Sequence, residues 1–333
     1  MMLIEVSELS QAGEARRKVA AYADDLKMSE ARLGEIALVT TELATNLAKH
    51  AKHGYILAQQ IGQPEKPGLR VMGIDKGPGI GDIPRALSDG HSTAGSMGTG
   101  LGAIRRVPNH FEIYSLPGSG TVISAEFWQS ASNPACRHHS LEIAVLSEPI
   151  RGEDECGDGW SWRSTVDTVL LMVVDGLGHG ILAAEAAREA ERIFSGSKSL
   201  SLAAILNDTH DGLRKTRGAA EAIAKIEPEK GLLSFVGVGN ISASIVSPRS
   251  SRSMASHNGT LGMTTERLQE FTCPWDKESV LIMHSDGLAT RWDLKQYPGI
   301  WSKTPSVIAA VLHRDFYRQR DDVTVLVAKT VEV

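Results

Sequence analysis

The chain has 333 residues, of which 42% are apolar, enough for two packed domains and too long for one small module. Its 35 basic and 40 acidic groups leave a formal charge of −5, which excludes the electrostatic footprint of a general nucleic-acid binder. The longest aliphatic run is the six-residue Val169-Leu170-Leu171-Met172-Val173-Val174, far short of the roughly 20 residues a bilayer span needs, so no membrane partner is expected.

In chain order, helical periodicity covers residues 12–26 and 29–52, and Ser29 followed by Glu30 suits the N-terminus of the second helix. On that helix Glu42 and Asn46 are spaced i, i+4 and share a face beside the apolar ridge of Ile36, Leu43 and Leu47. A carboxylate and an amide beside a core ridge are costly to bury unless something binds them, and a hydrated Mg²⁺ suits both. Strands are predicted over 55–61 and 69–75. The second delivers Asp75 into Lys76-Gly77-Pro78-Gly79, where an aspartate acceptor faces a glycine-lined space that a flat ligand such as adenine could enter.

The stretch Gly95-Ser96-Met97-Gly98-Thr99-Gly100-Leu101-Gly102 opens a helix over 101–106. Backbone N–H groups at such a start cradle phosphate with help from the helix dipole. The Gly98-x-Gly100 spacing is not a dinucleotide fingerprint, because no strand precedes it, and no P-loop is present. A strand pair over 111–115 and 121–127 closes the first half. The polar, proline-containing stretch 131–139 reads as a linker, dividing the chain into domains at 1–130 and 140–333.

The second half reads as strands at 141–147, 166–174, 232–238, 241–246, 279–285 and 323–329, with helices at 181–194, 200–217 and 305–314. Helices inserted among antiparallel-looking strands give an α+β two-domain chain. Four acidic sites stand out: Asp158 between Gly157 and Gly159, Asp175 before Gly176, Asp286 before Gly287, and Asp321-Asp322 at the head of a core strand. Each alone fits a turn. Together, with no His/Cys cluster, they argue for oxygen-ligated Mg²⁺ or Mn²⁺ and against zinc.

Glu42-Leu-Ala-Thr-Asn46, Asp75-Lys-Gly-Pro-Gly79, Gly98-Thr-Gly100-Leu-Gly102 and Gly120-Thr121 resemble, in order and spacing, the nucleotide motifs of Bergerat-fold (GHKL) ATPases. Among these the chain looks like the serine kinases of the anti-sigma-factor and stressosome switches. The resemblance implies an α/β sandwich with a mixed sheet and helices on one face. It further implies that Asn46 holds Mg²⁺ and Asp75 contacts the adenine of ATP. Gly77 and Gly79 would shape the pocket, Gly98, Gly100 and Gly102 bound the phosphates, Thr121 support the base, and Glu42 serve as general base.

Asp175-Gly-Leu-Gly-His-Gly, His284-Ser-Asp286-Gly and Asp321-Asp-Val-Thr324 resemble the PPM metal-dependent phosphatases, specifically the sporulation stage II E branch. That implies a β-sandwich flanked by helices. Asp175 would bridge two metals and the Gly176 carbonyl bind one. Asp286 and Asp321 would bind the other, with Asp158 contributing directly or through water, and Asp322 is the weaker of its pair. Asp158 is followed by Gly159-Trp160, a departure that leaves its setting open.

The two resemblances together imply a bifunctional serine/threonine kinase and phosphatase. Its expected partner is a small STAS-domain antagonist, in a partner-switching pathway that controls a sigma factor or a signalling complex, and a homodimer is compatible with such a chain. An anti-sigma-factor binding module with an attached phosphatase, using ATP as an allosteric ligand, stays open as the alternative. Three widely spaced cysteines and a start without a basic-then-apolar run lead to the expectation of a cytoplasmic protein.

Overall fold

The computed structural model describes residues 1–51, 53–63, 66–88, 100–129, 137–138, 141–265 and 268–330. The chain forms two units, Met1–Cys136 and Arg137–Val333. Among the described residues no helix is long and apolar enough to cross a membrane.

The first unit runs β1 (Met2–Val6), α1 (Leu9–Asp25), α2 (Glu30–His50), β2 (Gly54–Gln63), β3 (Lys66–Asp75), α3 (Ile83–Ala86), α4 (Leu101–Ile104), β4 (His110–Leu116) and β5 (Gly120–Trp128). Ser29 caps α2 by accepting the Arg32 amide. Ile36, Val39, Thr40, Leu43, Ala44 and Leu47 recur at helical spacing and form its buried face. The matching stripe of α1 is small (Ala12, Ala15, Val19 and Ala23), so the two helices pack closely. Both join one core with the five-stranded sheet, ordered β1-β2-β3-β5-β4.

Every ladder in this sheet is antiparallel, whereas the resemblance implied a mixed sheet. The reason is topological: two consecutive helices between β1 and β2 return the chain to the end it left, so β2 must run back along β1. The sandwich of helices on a sheet stands as expected.

The second unit contains β6 (Arg137–His138), β7 (Leu141–Glu148), β8 (Asp158–Ser164), β9 (Val169–Gly176), α5 (Ile181–Gly196), α6 (Leu202–Gly212), β10 (Ala219–Glu227), β11 (Leu232–Val238), β12 (Ser242–Val246) and β13 (Ser251–Met254). It continues with β14 (Gly259–Thr260), β15 (Thr264–Thr265), β16 (Phe271–Pro274), β17 (Val280–His284), α7 (Pro305–Phe316) and β18 (Val323–Thr330). One sheet is ordered β16-β11-β10-β9-β8, the other β13-β12-β17-β18-β7-β6, and β14 and β15 form a small hairpin.

The six-residue run of β9 shows why this unit has four layers. Val169, Leu171 and Val173 enter the core shared with the second sheet, while Leu170, Met172 and Val174 enter a separate core beneath α5 and α6. A strand covered on both faces has no polar alternation. On the far side, α7 packs against β7 and β18.

Several elements lie outside the sequence reading. β1, β8 and β10 are absent from it, and β10, Ala219-Ala-Glu-Ala-Ile-Ala-Lys-Ile-Glu227, has a composition that favours helix in isolation. It is a strand because β9 and β11 flank it on both sides. The strand expected from Val166 begins at Val169, since Thr165 N–H donates to Thr168 O in a turn that leaves Val166 exposed. The helix expected over 200–217 ends at Gly212. Of the stretch read as linker, Arg137–His138 pairs with β7, and the rest of 131–139 lies outside the described residues.

Candidate active sites

The walls of the first site come from α2, the end of β3, the head of α4 and the head of β5. A Cβ at Gly73 in β3 would lie 3.5 Å from Leu43, so the bare glycine leaves α2 room to sit close to the sheet. Glu42 and Asn46 flank that contact. Burial raises the Glu42 carboxyl above its ordinary range, with Lys49 opposing the shift. The Asn46 Nδ2 is buried without a hydrogen-bond partner. Since an amide can be turned end for end, this is a buried polar end awaiting either an acceptor or, once turned, a hard cation or its water.

Asp75 is 9% exposed and accepts the Gly77 N–H at 2.6 Å through Oδ1. A side chain at Gly77 would press on that carboxylate and on the His50 carbonyl at the end of α2, so glycine lets the turn close on the helix. Gly79 has φ +72°, and a Cβ there would collide with the Leu116 carbonyl. Asp75 pairs with Thr121 across the β3–β5 ladder. The Thr121 and Ser115 hydroxyls meet at 2.9 Å, and Ser115 Oγ also accepts the Ile80 N–H at 2.7 Å. Thr121 and the glycine turn are thereby tied into one network through Ser115.

Gly100 precedes α4, which packs on α2, and Gly102 abuts the Leu87 carbonyl. The structure thus gathers Glu42, Asn46, Asp75, Gly77, Gly79, Gly100, Gly102 and Thr121 on elements that touch one another. Gly98 lies outside the described residues. The orphaned Asn46 amide and the glycine turn after Asp75 fit a Mg²⁺-nucleotide.

The second site forms where the two sheets of the sandwich meet at one end. Asp158 opens β8 and sits across the ladder from Asp175 at the end of β9. Asp286 follows β17, and Asp321 precedes β18. These two strands pair, and a side chain at Gly287 would collide with the Asp322 carbonyl, so the two acidic turns are pressed together. The Asn240 amide, in the β11–β12 turn, ties the sheets by donating to Asp286 Oδ2 at 2.8 Å and to Asp175 Oδ2 at 3.4 Å.

The electrostatics follow from that crowding. Burial, aided by Asp286 and Asp321, pushes the Asp175 carboxyl up to about 7. Burial and then Asp175 raise Asp158 well above its ordinary value. Gly176 closes β9 against Ala183 of α5, and its N–H donates to the Gly157 carbonyl. Asp322 is 2% exposed and accepts the main-chain N–H groups of Ile150 and Gly157, so it anchors the loop that leads to Asp158.

Among the described residues no three His, Cys, Asp or Glu side chains stand close enough to clasp an ion by themselves. A divalent cation here has to complete its shell with water and main-chain oxygen, as Mg²⁺ and Mn²⁺ do. The donors are all hard oxygens, and Asn240 and Ser285 only partly offset the repulsion among the carboxylates, so the set fits such ions.

Two participants were missed by sequence reasoning. Ser285 donates to Asp158, and Asn240 links Asp175 to Asp286. Ser285 lies inside a motif already noted, while a Gly239-Asn240 turn carries no distinguishing signal. His284 is neutral: its Nδ1–H donates to Ser285 O and its Nε2 accepts the Trp292 N–H, and burial lowers its pKa. His179, exposed on the glycine turn, meets Glu153 at 2.8 Å.

Residues 165–331, half of the chain, match the stage II sporulation protein E (SpoIIE) family. The chain belongs to that family. Residues 6–127 of this SpoIIE-family chain match the histidine kinase-like ATPase domain, so it is a fusion of the two. The serine/threonine-protein kinase RsbT of Bacillus subtilis is 39% identical over 93 residues, 28% of this chain and 70% of RsbT. The phosphoserine phosphatase RsbX of the same organism is 28% identical over 149 residues, 44% of this chain and 75% of RsbX.

Among solved structures, a protein of the bacterial stressosome, a modular system adapted to control secondary messenger signalling, is 28% identical with a TM-score of 0.54, covering 57% of this chain and 99% of that one. RsbX in complex with magnesium shares the fold at 24% identity and a TM-score of 0.52, over 59% of this chain and 98% of RsbX. A kinase-type half and a phosphatase-type half therefore share this SpoIIE-family polypeptide.

Proposed function

We propose that this chain phosphorylates and dephosphorylates a serine or threonine of one small STAS-domain antagonist, in a cytoplasmic partner-switching pathway that controls a sigma factor or a signalling complex. Residues 1–130 are the ATP-dependent kinase domain with Mg²⁺, and residues 140–333 the phosphatase domain with two Mn²⁺ or Mg²⁺ ions. The reading is carried by one observation: an orphaned Asn46 amide beside a half-buried Glu42, and a crowd of mutually repelling carboxylates around Asp175, occur in a single chain.

In the kinase half, Asp75 accepts the adenine amino group while Gly77 and Gly79 let the base approach the backbone. Thr121 steadies the base edge. Gly98, Gly100 and Gly102 surround the phosphates, and Asn46 holds Mg²⁺. Glu42 takes the proton from the substrate hydroxyl as that oxygen attacks the γ-phosphorus and ADP departs. A base raised by burial accepts a proton more readily than an exposed glutamate.

In the phosphatase half, Asp175, Asp286, Asp321, Asp158 and the Gly176 carbonyl would hold the metal ions, which would supply an acidified water and a positive field on the phosphoryl group. Asn240 keeps Asp175 and Asp286 facing each other, and Ser285 fixes the Asp158 carboxylate. The catalytic assignments are thus Glu42 and Asp175.

The test uses the full chain, a STAS-domain protein and labelled ATP. Glu42→Gln abolishes phosphorylation and spares phosphate release in Mn²⁺, whereas Asp175→Asn does the reverse. Phosphorylation that survives Glu42→Gln would remove the assigned base. Sigma-factor binding with no phosphotransfer by the wild type would favour an anti-sigma binding module instead.

A further inference from the structure

Beside the acidic cluster lies a cleft of 230 Å³ lined by Asp286, Gly287, Arg318, Arg320 and Asp321. Two of its walls are proposed metal ligands and two are arginines to which no role is yet assigned. Arg318 and Arg320 are exposed, and among the described residues neither forms an ion pair, although both line a cleft that holds two carboxylates. The other arginines close to an acid behave differently: Arg314 pairs with Asp315, and Arg214 with Asp211.

The turn that carries the two arginines is held in place. Arg318 N–H donates to the Gly287 carbonyl at 2.9 Å, Ala289 N–H donates to Phe316 O, and the Tyr317 hydroxyl reaches Asp321 O. Gln319 between them has φ +57°, a left-handed conformation uncommon for a side chain of its size, which directs its two neighbours from a tight turn. Arginines carried on such a turn, lining a cleft with carboxylates they do not pair with, can take an anion that arrives from outside. The cleft has room for a phosphoryl group and a few waters, taking about 30 Å³ per water. Guanidinium forks match phosphoryl oxygens in geometry and charge.

We propose that Arg318 and Arg320 bind the phosphoryl oxygens of the phosphoserine or phosphothreonine substrate, setting its affinity at the phosphatase site. This rests on the phosphatase reading above and adds the residues that take the substrate's charge. Asp286 and Asp321 would hold a cation on one wall of this cleft and the two arginines line it as well, so a phosphoryl dianion entering it would meet positive charge from both.

The test begins by showing that the wild type hydrolyses p-nitrophenyl phosphate in Mn²⁺ and that Asp175→Asn does not. Arg318→Ala and Arg320→Ala then each raise KM for p-nitrophenyl phosphate and for the phosphoprotein about tenfold and weaken inhibition by inorganic phosphate by the same factor. Arg318→Lys recovers part of the loss, and serves also where an alanine variant does not fold. Unchanged KM and phosphate inhibition overturn the proposal. So does a KM increase confined to the phosphoprotein, because the arginines then contact protein outside the phosphate. If the wild type shows no turnover, the phosphatase reading fails on its own, and calorimetric titration with inorganic phosphate decides for the arginines: binding that survives both alanine changes overturns their role.

Discussion

Ser285 Oγ donates a 2.6 Å hydrogen bond to Asp158 Oδ2, across the two sheets of the sandwich, while accepting the Thr324 N–H at 3.0 Å. One hydroxyl therefore joins β8 of one sheet to β18 of the other at the acidic end. Asp158 is 7% exposed and its burial already disfavours the charged form, so the hydroxyl is a main source of compensation. Ser285→Ala leaves two buried polar groups without that partner. We expect a loss of about 2–3 kcal/mol, read from urea unfolding, together with weaker Mn²⁺ binding by calorimetry. An unfolding midpoint equal to the wild type would show that the link contributes nothing.

Glu221 is fully buried on β10, facing the core under α5 and α6. Neither carboxyl oxygen has a partner, because the nearby Thr209 hydroxyl donates to Ile205 O at 3.1 Å. Burial pushes its pKa up to about 8. The folded chain thus keeps a proton that the unfolded chain loses near 4.5, so the contribution of this group to stability is full below about 4.5 and is lost as pH rises toward about 8. The loss amounts to roughly 3–5 kcal/mol at pH 8. Glu221→Gln removes this contribution, flattening the decline in denaturant titrations at pH 5, 7 and 8. A slope identical to the wild type would sink the assignment.

Arg70 and Glu126 face each other across the β3–β5 ladder. Arg70 Nε and Nη2 donate to Glu126 Oε1 at 3.0 and 2.8 Å, and both side chains are under 10% exposed. Removing one partner strands a buried charge. Arg70→Met is expected to destabilise the first unit by about 3–5 kcal/mol, and the paired change with Glu126→Leu to recover most of that. A double-mutant cycle by thermal unfolding checks it; additive losses would mean the two charges do not interact.

Gly79 would couple the fold to the proposed nucleotide pocket. With φ +72° and the Leu116 carbonyl in the way of any Cβ, Gly79→Ala forces the turn off the β4–β5 hairpin. We expect about 1–3 kcal/mol of destabilisation and at least tenfold weaker ATP binding, while phosphatase activity is unchanged. Fluorescent-nucleotide titration separates the two effects. Wild-type ATP affinity in the variant would place the turn outside the pocket.

The SpoIIE-type and kinase-type halves were legible in the sequence because their motifs are local. Asp175-Gly176, Asp286-Gly287 and Asp75-x-Gly77-x-Gly79 each sit at a strand end, where a short glycine turn is required by backbone sterics alone. The helical stripe of α2 and the doubly covered run of β9 are equally one-dimensional signals. What only the tertiary structure decided depends on segments far apart in the chain. β10 is a strand against its composition because β9 and β11 bond to it on either side. Asp158 belongs to a strand and not a turn because β9 pairs with it. Asn240, Ser285, Arg318 and Arg320 reach the acidic site because sheet register brings the ends of β8, β9, β11, β17 and β18 to one rim. Spacing along a chain specifies which groups can share a turn, whereas the register of distant strands specifies which charges must share a cleft.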